Sequence, residues 1–267
     1  MYGLNSLMIV AVLLASMVGA MEAGYRIGLR RQASATESTR RHINGIQASL
    51  LGVLALLLGF TFSLALQRFD SRSDAVVDEA NAIGTAYLRT KLIPRAVGEP
   101  AAQLWQSYTD LRVQAGAVDL AHDSERQALD AKADRVLEAL WGTAQRAIEA
   151  EKNPATSGLY VQAVNEAIDS RGRNDAVLKR HVPEVILILL YGTLLMTSGV
   201  VGYAAGVSWH RPPLVTYIFV TLLVILAFII VDLDRPRRGL IRVDQSSLVA
   251  LKAAIDAERT SIRVPTR

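Results

Sequence analysis

Residues 46–66 read IQASLLGVLALLLGFTFSLAL, and residues 67–89 run on as QRFDSRSDAVVDEANAIGTAYLR. The first 21 residues contain no charge. At about 1.5 Å per residue a helix of that length crosses a hydrocarbon layer of roughly 30 Å. The second stretch carries no Gly-Pro or Asn-Gly break before Ala75, so the same helix is expected to leave the apolar layer without a turn. An apolar span feeding directly into a polar helix decides the fold class: all-α, a membrane protein with a helical insert.

Working outward, three further uncharged stretches cover about 2–21, 185–207 and 214–231. The first is read as a retained span and not a cleaved leader, because no Lys or Arg precedes it while Arg26, Arg30 and Arg31 follow it. Pro212-Pro213 separates the last two stretches, which predicts an antiparallel hairpin with a short turn. The expected organisation is therefore a first transmembrane hairpin over 1–66, a helical soluble domain over 67–181, a second hairpin over 182–232, and a polar tail over 233–267. Composition agrees. Of 267 residues 51% are apolar and only 20% charged, and mean hydropathy is +0.26. The net charge of +4 comes from arginines flanking apolar runs, where membrane topology explains them without nucleic acid.

The insert is predicted to form four amphipathic helices, about 70–92, 99–117, 121–152 and 156–181, punctuated by Pro94, Gly98-Glu99-Pro100 and Asn153-Pro154. Leu129, Ala133, Val136, Leu137, Leu140 and Ala144 make an apolar stripe at helical spacing, and Trp105 and Trp141 are expected to anchor contacts between neighbouring helices. No stretch alternates with period two, so no sheet is expected. A short amphipathic helix is expected in the tail, from about Ser246 to Glu258, followed by disorder.

Four crossings put the insert and tail on one membrane side and the 22–43 loop on the other. The basic residues favour a cytoplasmic insert by eleven near-membrane positions to six, although the first loop is dense in arginine.

Catalytic templates are missing: no nucleophile elbow, no phosphate-binding Gly loop, no His-Glu-x-x-His. The chain has no cysteine, and His42, His122, His181 and His210 stand isolated. Neither enzyme activity nor a metal or cofactor is expected. The spans hold no ionisable side chain in their interiors, which argues against a proton-coupled pump.

Three groups of residues carry what function the sequence offers. In the second span, Ser49, Gly52, Gly59 and Ser63 share a face. Small residues there permit close helix packing, or line a narrow lumen with Phe60 or Phe62 as an apolar constriction. Beyond the span, Asp74, Asp78, Asn81, Thr85 and Arg89 form a polar stripe opposite the apolar stripe of Val76, Ala80, Ile83 and Tyr87. That stripe suits a wet conduit, an intersubunit network or an ordinary solvated face. Finally, Asp232, Asp234 and Arg235 end the fourth span, where carboxylates oppose the helix dipole and call for partners. An interfacial ion-pair network with Arg68, Asp70 and Arg72 is expected.

The runs Gly59-Phe60-Thr61-Phe62-Ser63, Arg68-Phe69-Asp70, Glu79 through Arg89 and Asp232-Leu233-Asp234-Arg235-Pro236 resemble a family of bacterial membrane proteins known as bestrophin-like. The resemblance spans nearly the whole chain. It implies a distant likeness to bestrophins, pentameric anion channels with four spans per subunit and a helical cytosolic domain that extends the pore. By that resemblance the second span, with Gly52, Gly59, Phe60 and Ser63, lines a pore in the bacterial inner membrane, and the partners are the lipid bilayer, further copies of the chain and small ions. The rival expectation is a non-conducting sensor or scaffold whose insert binds a partner or ligand.

Overall fold

The computed structural model describes residues 6–118, 123–151, 153–235 and 241–263. Every regular element among them is helical: α1 (Ser6–Arg31), α2 (Glu37–Arg89), α3 (Arg95–Ala117), α4 (Asp123–Ala150), α5 (Pro154–Leu178), α6 (Glu184–Val207), α7 (Leu214–Leu233) and α8 (Ser246–Arg263). Four helical segments are long and apolar enough to cross a membrane: Met8–Ser34, Glu37–Leu92, Glu184–Val207 and Leu214–Leu233. The uninterrupted run through Leu66 expected from the sequence is present, since α2 extends over 53 residues.

The chain divides into two compact units. The first comprises the described residues within 1–68, 181–235 and 239–241. Its tightest seam joins α1 to α6 through glycines. A Cβ on Gly24 would overlap the Gly199 carbonyl oxygen, and one on Gly206 would overlap that of Tyr25; Gly28 and Gly202 face the same constraint from Tyr203 and Met21. Without side chains at these positions the backbones touch, and dispersion contacts replace the solvent-driven association that a lipid environment does not supply. Met17 and Met21 are wholly enclosed on the same seam.

The hairpin turn follows α6. Trp209 adopts a positive φ of 59°. Its N–H donates to the Gly206 carbonyl at 3.1 Å, and the His210 N–H donates to Ala205 at 3.2 Å. This is a Schellman ending with a tryptophan where glycine normally sits.

The second unit comprises the described residues within 69–180 and 242–267. Its core gathers Val76, Ala80, Ile83 and Tyr87 of α2, Trp105 and Tyr108 of α3, Ala133, Leu137, Leu140 and Ala144 of α4, and Tyr160 and Val164 of α5. Trp105 is fully buried and meets Tyr108 edge-on at 5.9 Å between ring centroids. Trp141 departs from expectation: it is 37% exposed and is not among the buried residues of this core. The Gly98-Glu99-Pro100 run does not delimit α3 either. The helix begins at Arg95 and carries Pro100 inside its second turn, where the imide forfeits one backbone bond. Gly98 permits close approach there, since a Cβ would overlap the Thr90 carbonyl oxygen.

The amphipathic helix expected in the polar tail is present and begins at Ser246. Helix α8 continues past Glu258 to Arg263 and places Leu248 and Ile255 in the second unit's core. Lys252 pairs with Asp110 of α3, and Gln106 donates to Asp256 at 2.7 Å. The disorder expected after Glu258 does not begin there, since the helix runs on to Arg263; residues 264–267, His122 and 236–240 lie outside the described residues.

Candidate functional site

Helix α2 carries most of the residues singled out in the sequence, so its faces decide what they can do. In the span, Leu54, Leu58, Thr61 and Ala65 are buried. Gly52, Gly59 and Ser63 point the other way and are exposed. A Cβ added at Gly45, Gly52 or Gly59 would meet nothing within 4 Å. The close packing that small residues permit is thus not used by this face within one chain; the glycines of α1 and α6 use it instead. Phe60 is 63% exposed. Phe62 projects to another side and, with Gly59 and with Phe219, Leu223 and Leu226 of α7, lines an apolar groove, so Gly59 borders both that groove and the exposed face. The two phenylalanines therefore do not share a face.

In the second unit the polar stripe lines a groove between α2 and α5. Asp78, Asn81, Thr85 and Arg89 form one bank, Gln162, Glu166 and Arg173 the other, with Ala82 and Ala163 between them, around a volume of about 410 Å³. Arg89 Nη1 donates to the Leu159 carbonyl at 2.7 Å. Arg173 Nη2 donates to Glu166 Oε1 at 2.5 Å. Asp74 belongs to the same exposed face of α2 but lies outside this groove.

Behind the groove stands a polar cluster that the sequence reading did not isolate. Glu79 is fully buried, as are Arg112 and Asn174 to within 3%. Arg112 donates from Nε to Glu79 Oε1 at 2.5 Å and from Nη2 to Oε2 at 2.9 Å, while Asn174 Nδ2 donates to Oε2 at 2.5 Å. Burial opposes the charge on Arg112, but Coulomb attraction and hydrogen bonding from Glu79 outweigh it and hold the guanidinium above its ordinary range. Burial, then the Glu79 carboxylate, pushes the Tyr108 phenol up. Alongside, Arg171 bridges Asp130 at 3.0 Å and Asp175 at 3.1 Å. Burial raises the Asp175 carboxyl above its usual 3.8, only partly offset by Arg171 and Arg112. A sequence signal for this cluster exists. Glu79 falls beside the Val76–Ala80–Ile83 stripe, and Arg112 falls one turn beyond Tyr108 and two beyond Trp105. A charge at a core position of an amphipathic helix requires a buried partner.

The carboxylates that end α7 are buried, and each accepts a backbone hydrogen bond. Asp234 Oδ1 accepts from the Val182 N–H at 2.9 Å, and its Oδ2 lies 3.6 Å from His181 Nδ1. Asp232 Oδ2 accepts from the Ile241 N–H at 2.9 Å. Arg235 is buried beside them, whereas Arg68 is half-buried and Asp70 exposed. In the second unit, Arg72 donates to the carbonyls of Val177 and Arg180, at 3.4 and 2.7 Å. Donors from the chain entering α6 and leaving α7 thus offset the helix-end charge repulsion expected from sequence. Among the described residues, no group of three or more His, Cys, Asp or Glu comes together as a metal site.

Comparison with known protein families matches residues 7–248 to the Bestrophin-like domain. Among solved structures, the chain is similar to mutants of a bacterial Bestrophin homolog from Klebsiella pneumoniae. One aligns with TM-score 0.67 at 16% identity, covering 96% of this chain and 98% of that one. Another gives TM-score 0.66 at 15% identity over the same shares. A structure described only as a mutant membrane protein matches at TM-score 0.66 and 16% identity, over 98% of this chain and 99% of that one. Among curated proteins none matches significantly.

Proposed function

Because the chain belongs to the Bestrophin-like family, we propose that it is a homo-oligomeric ion channel of the cell membrane, passing small anions. Several copies would set the exposed small-residue face of α2 around a shared axis. The observation that carries this reading is the unpartnered face itself. Gly52, Gly59 and Ser63 are exposed although they sit in an apolar span whose other side is packed. In a membrane, such a face is covered by lipid, by another copy, or by a water-filled lumen, and small residues are the ones a lumen admits. Phe60, exposed beside this face, is the constriction candidate; Phe62 is turned toward α7. The groove with Asp78, Asn81, Thr85 and Arg89 would then belong to a polar vestibule outside the membrane.

Purified protein reconstituted in planar bilayers tests the proposal. Conductance is expected, with Phe60→Ala altering it and Phe62→Ala leaving it unchanged, and the protein should run as a multimer in detergent. A monomer that passes no current under varied pH, Ca²⁺ and voltage would overturn it. The rival, a non-conducting sensor, is favoured by one feature, the concave polar groove on the second unit.

A further inference from the structure

The groove between α2 and α5 has a charge layout that singles out a ligand class. Its banks run antiparallel, and from Asp78 to Arg89 the helix rises roughly 16 Å. One end holds Asp78 near Arg173, whose guanidinium is engaged by Glu166 from further along the same bank at 2.5 Å; Asp78 and Asp169 add their field to the same arginine. The other end holds Arg89, whose Nη1 donates to the Leu159 carbonyl at 2.7 Å; a guanidinium has five N–H groups, so that single bond leaves donors over. Between the ends lie Asn81, Thr85 and Gln162, each able to donate and to accept, with Ala82 and Ala163. The groove is therefore dipolar, with an excess negative charge at one end, a positive charge at the other, and amide-like groups between.

We propose that this groove binds a short peptide in extended form, its terminal carboxylate on Arg89 and its terminal ammonium near Asp78. An extended chain covers about 3.3–3.6 Å per residue, so roughly 16 Å corresponds to about five residues. Carboxamides such as Asn81 and Gln162 offer one acceptor and two donors each and match the two polar groups of a peptide unit. A volume of about 410 Å³ lies within the size of small-ligand sites. Capture of both termini is a known way of reading short peptides. The proposal deepens the vestibule reading by naming an occupant, but it does not depend on conduction.

The test is titration calorimetry on the full-length protein in detergent with unblocked penta-alanine. Four comparisons define the outcome: the N-acetylated peptide, the C-amidated peptide, the doubly blocked peptide and free alanine. The unblocked peptide should bind, each single block should weaken it about tenfold, and free alanine should bind at least as poorly as the doubly blocked form. Asp78→Asn should abolish discrimination against N-acetylation while retaining that against C-amidation. Arg89→Gln should do the reverse, and since it also removes the bond to Leu159, Asn81→Leu/Thr85→Leu serves as an independent groove-filling variant that abolishes binding. Equal binding of blocked and unblocked peptides, or none at millimolar concentration, overturns the proposal. Because the readout is heat in detergent, either result leaves the bilayer currents to be judged separately.

Discussion

Arg112 holds Glu79 through two parallel hydrogen bonds, Nε to Oε1 at 2.5 Å and Nη2 to Oε2 at 2.9 Å, with both side chains withdrawn from solvent. Residue 79 belongs to the helix that carries the polar groove, and residue 112 to the helix next to it in sequence. A bidentate pair fixes orientation as well as distance. Locking Glu79 inward therefore turns its neighbours Asp78 and Asn81 outward, so the buried pair positions the exposed stripe.

Removing one member should be costly, since it strands a charge in the core. Glu79→Leu or Arg112→Leu alone is expected to destabilise the second unit by about 3–5 kcal/mol. The double variant should cost clearly less than the sum. A double-mutant cycle on thermal unfolding checks this, and strict additivity would show that the pair is not coupled.

Asp175 leads to a prediction of opposite sign. Burial raises its carboxyl above the ordinary 3.8, so the folded state binds this proton more tightly than the unfolded chain does. Its ionised form thus opposes folding at neutral pH, and its contribution improves as pH falls through the raised value. Asp175→Asn is expected to be stabilising or neutral at pH 7 and to flatten the pH dependence of the melting temperature between the ordinary carboxylate range and neutrality. A loss of stability at neutral pH would show that the Arg171 contact outweighs the burial cost.

The glycines divide into two classes that mutation should separate. Gly24→Ala and Gly206→Ala place a methyl group on opposing backbone and should cost about 1–3 kcal/mol each, read as a lower melting temperature and poorer recovery of monodisperse protein. Gly52→Ala and Gly59→Ala meet nothing within the chain. They should leave stability unchanged or higher, alanine being favoured by about 1 kcal/mol in a helix, and their effect should appear in conductance.

Trp209 offers a test of backbone strain. Its φ of 59° is a conformation that costs a non-glycine residue about 1 kcal/mol or more. Comparing Trp209→Gly with Trp209→Ala removes the ring in both and relieves the strain in only one. The glycine variant should be the more stable by about 1 kcal/mol in thermal unfolding.

The sequence by itself determined the helical class, the four apolar segments and the faces of α2. Those features are local: an uncharged run of 21 residues and a spacing of three and four are visible in one dimension. Even the departures have local causes, as with Pro100, which an early helical turn tolerates at the loss of one bond. Tertiary structure decided the rest. Nothing in the spacing of residues 79, 112 and 174 says that they meet, because that depends on how three separate helices pack. The apposition of Gly24 and Gly28 with Gly202 and Gly206 likewise joins segments far apart in the chain. The polar stripe of α2 became a groove only when Gln162, Glu166 and Arg173 of α5 supplied its second bank. A helix displays its own faces, but which face meets which is settled by the packing of the whole chain.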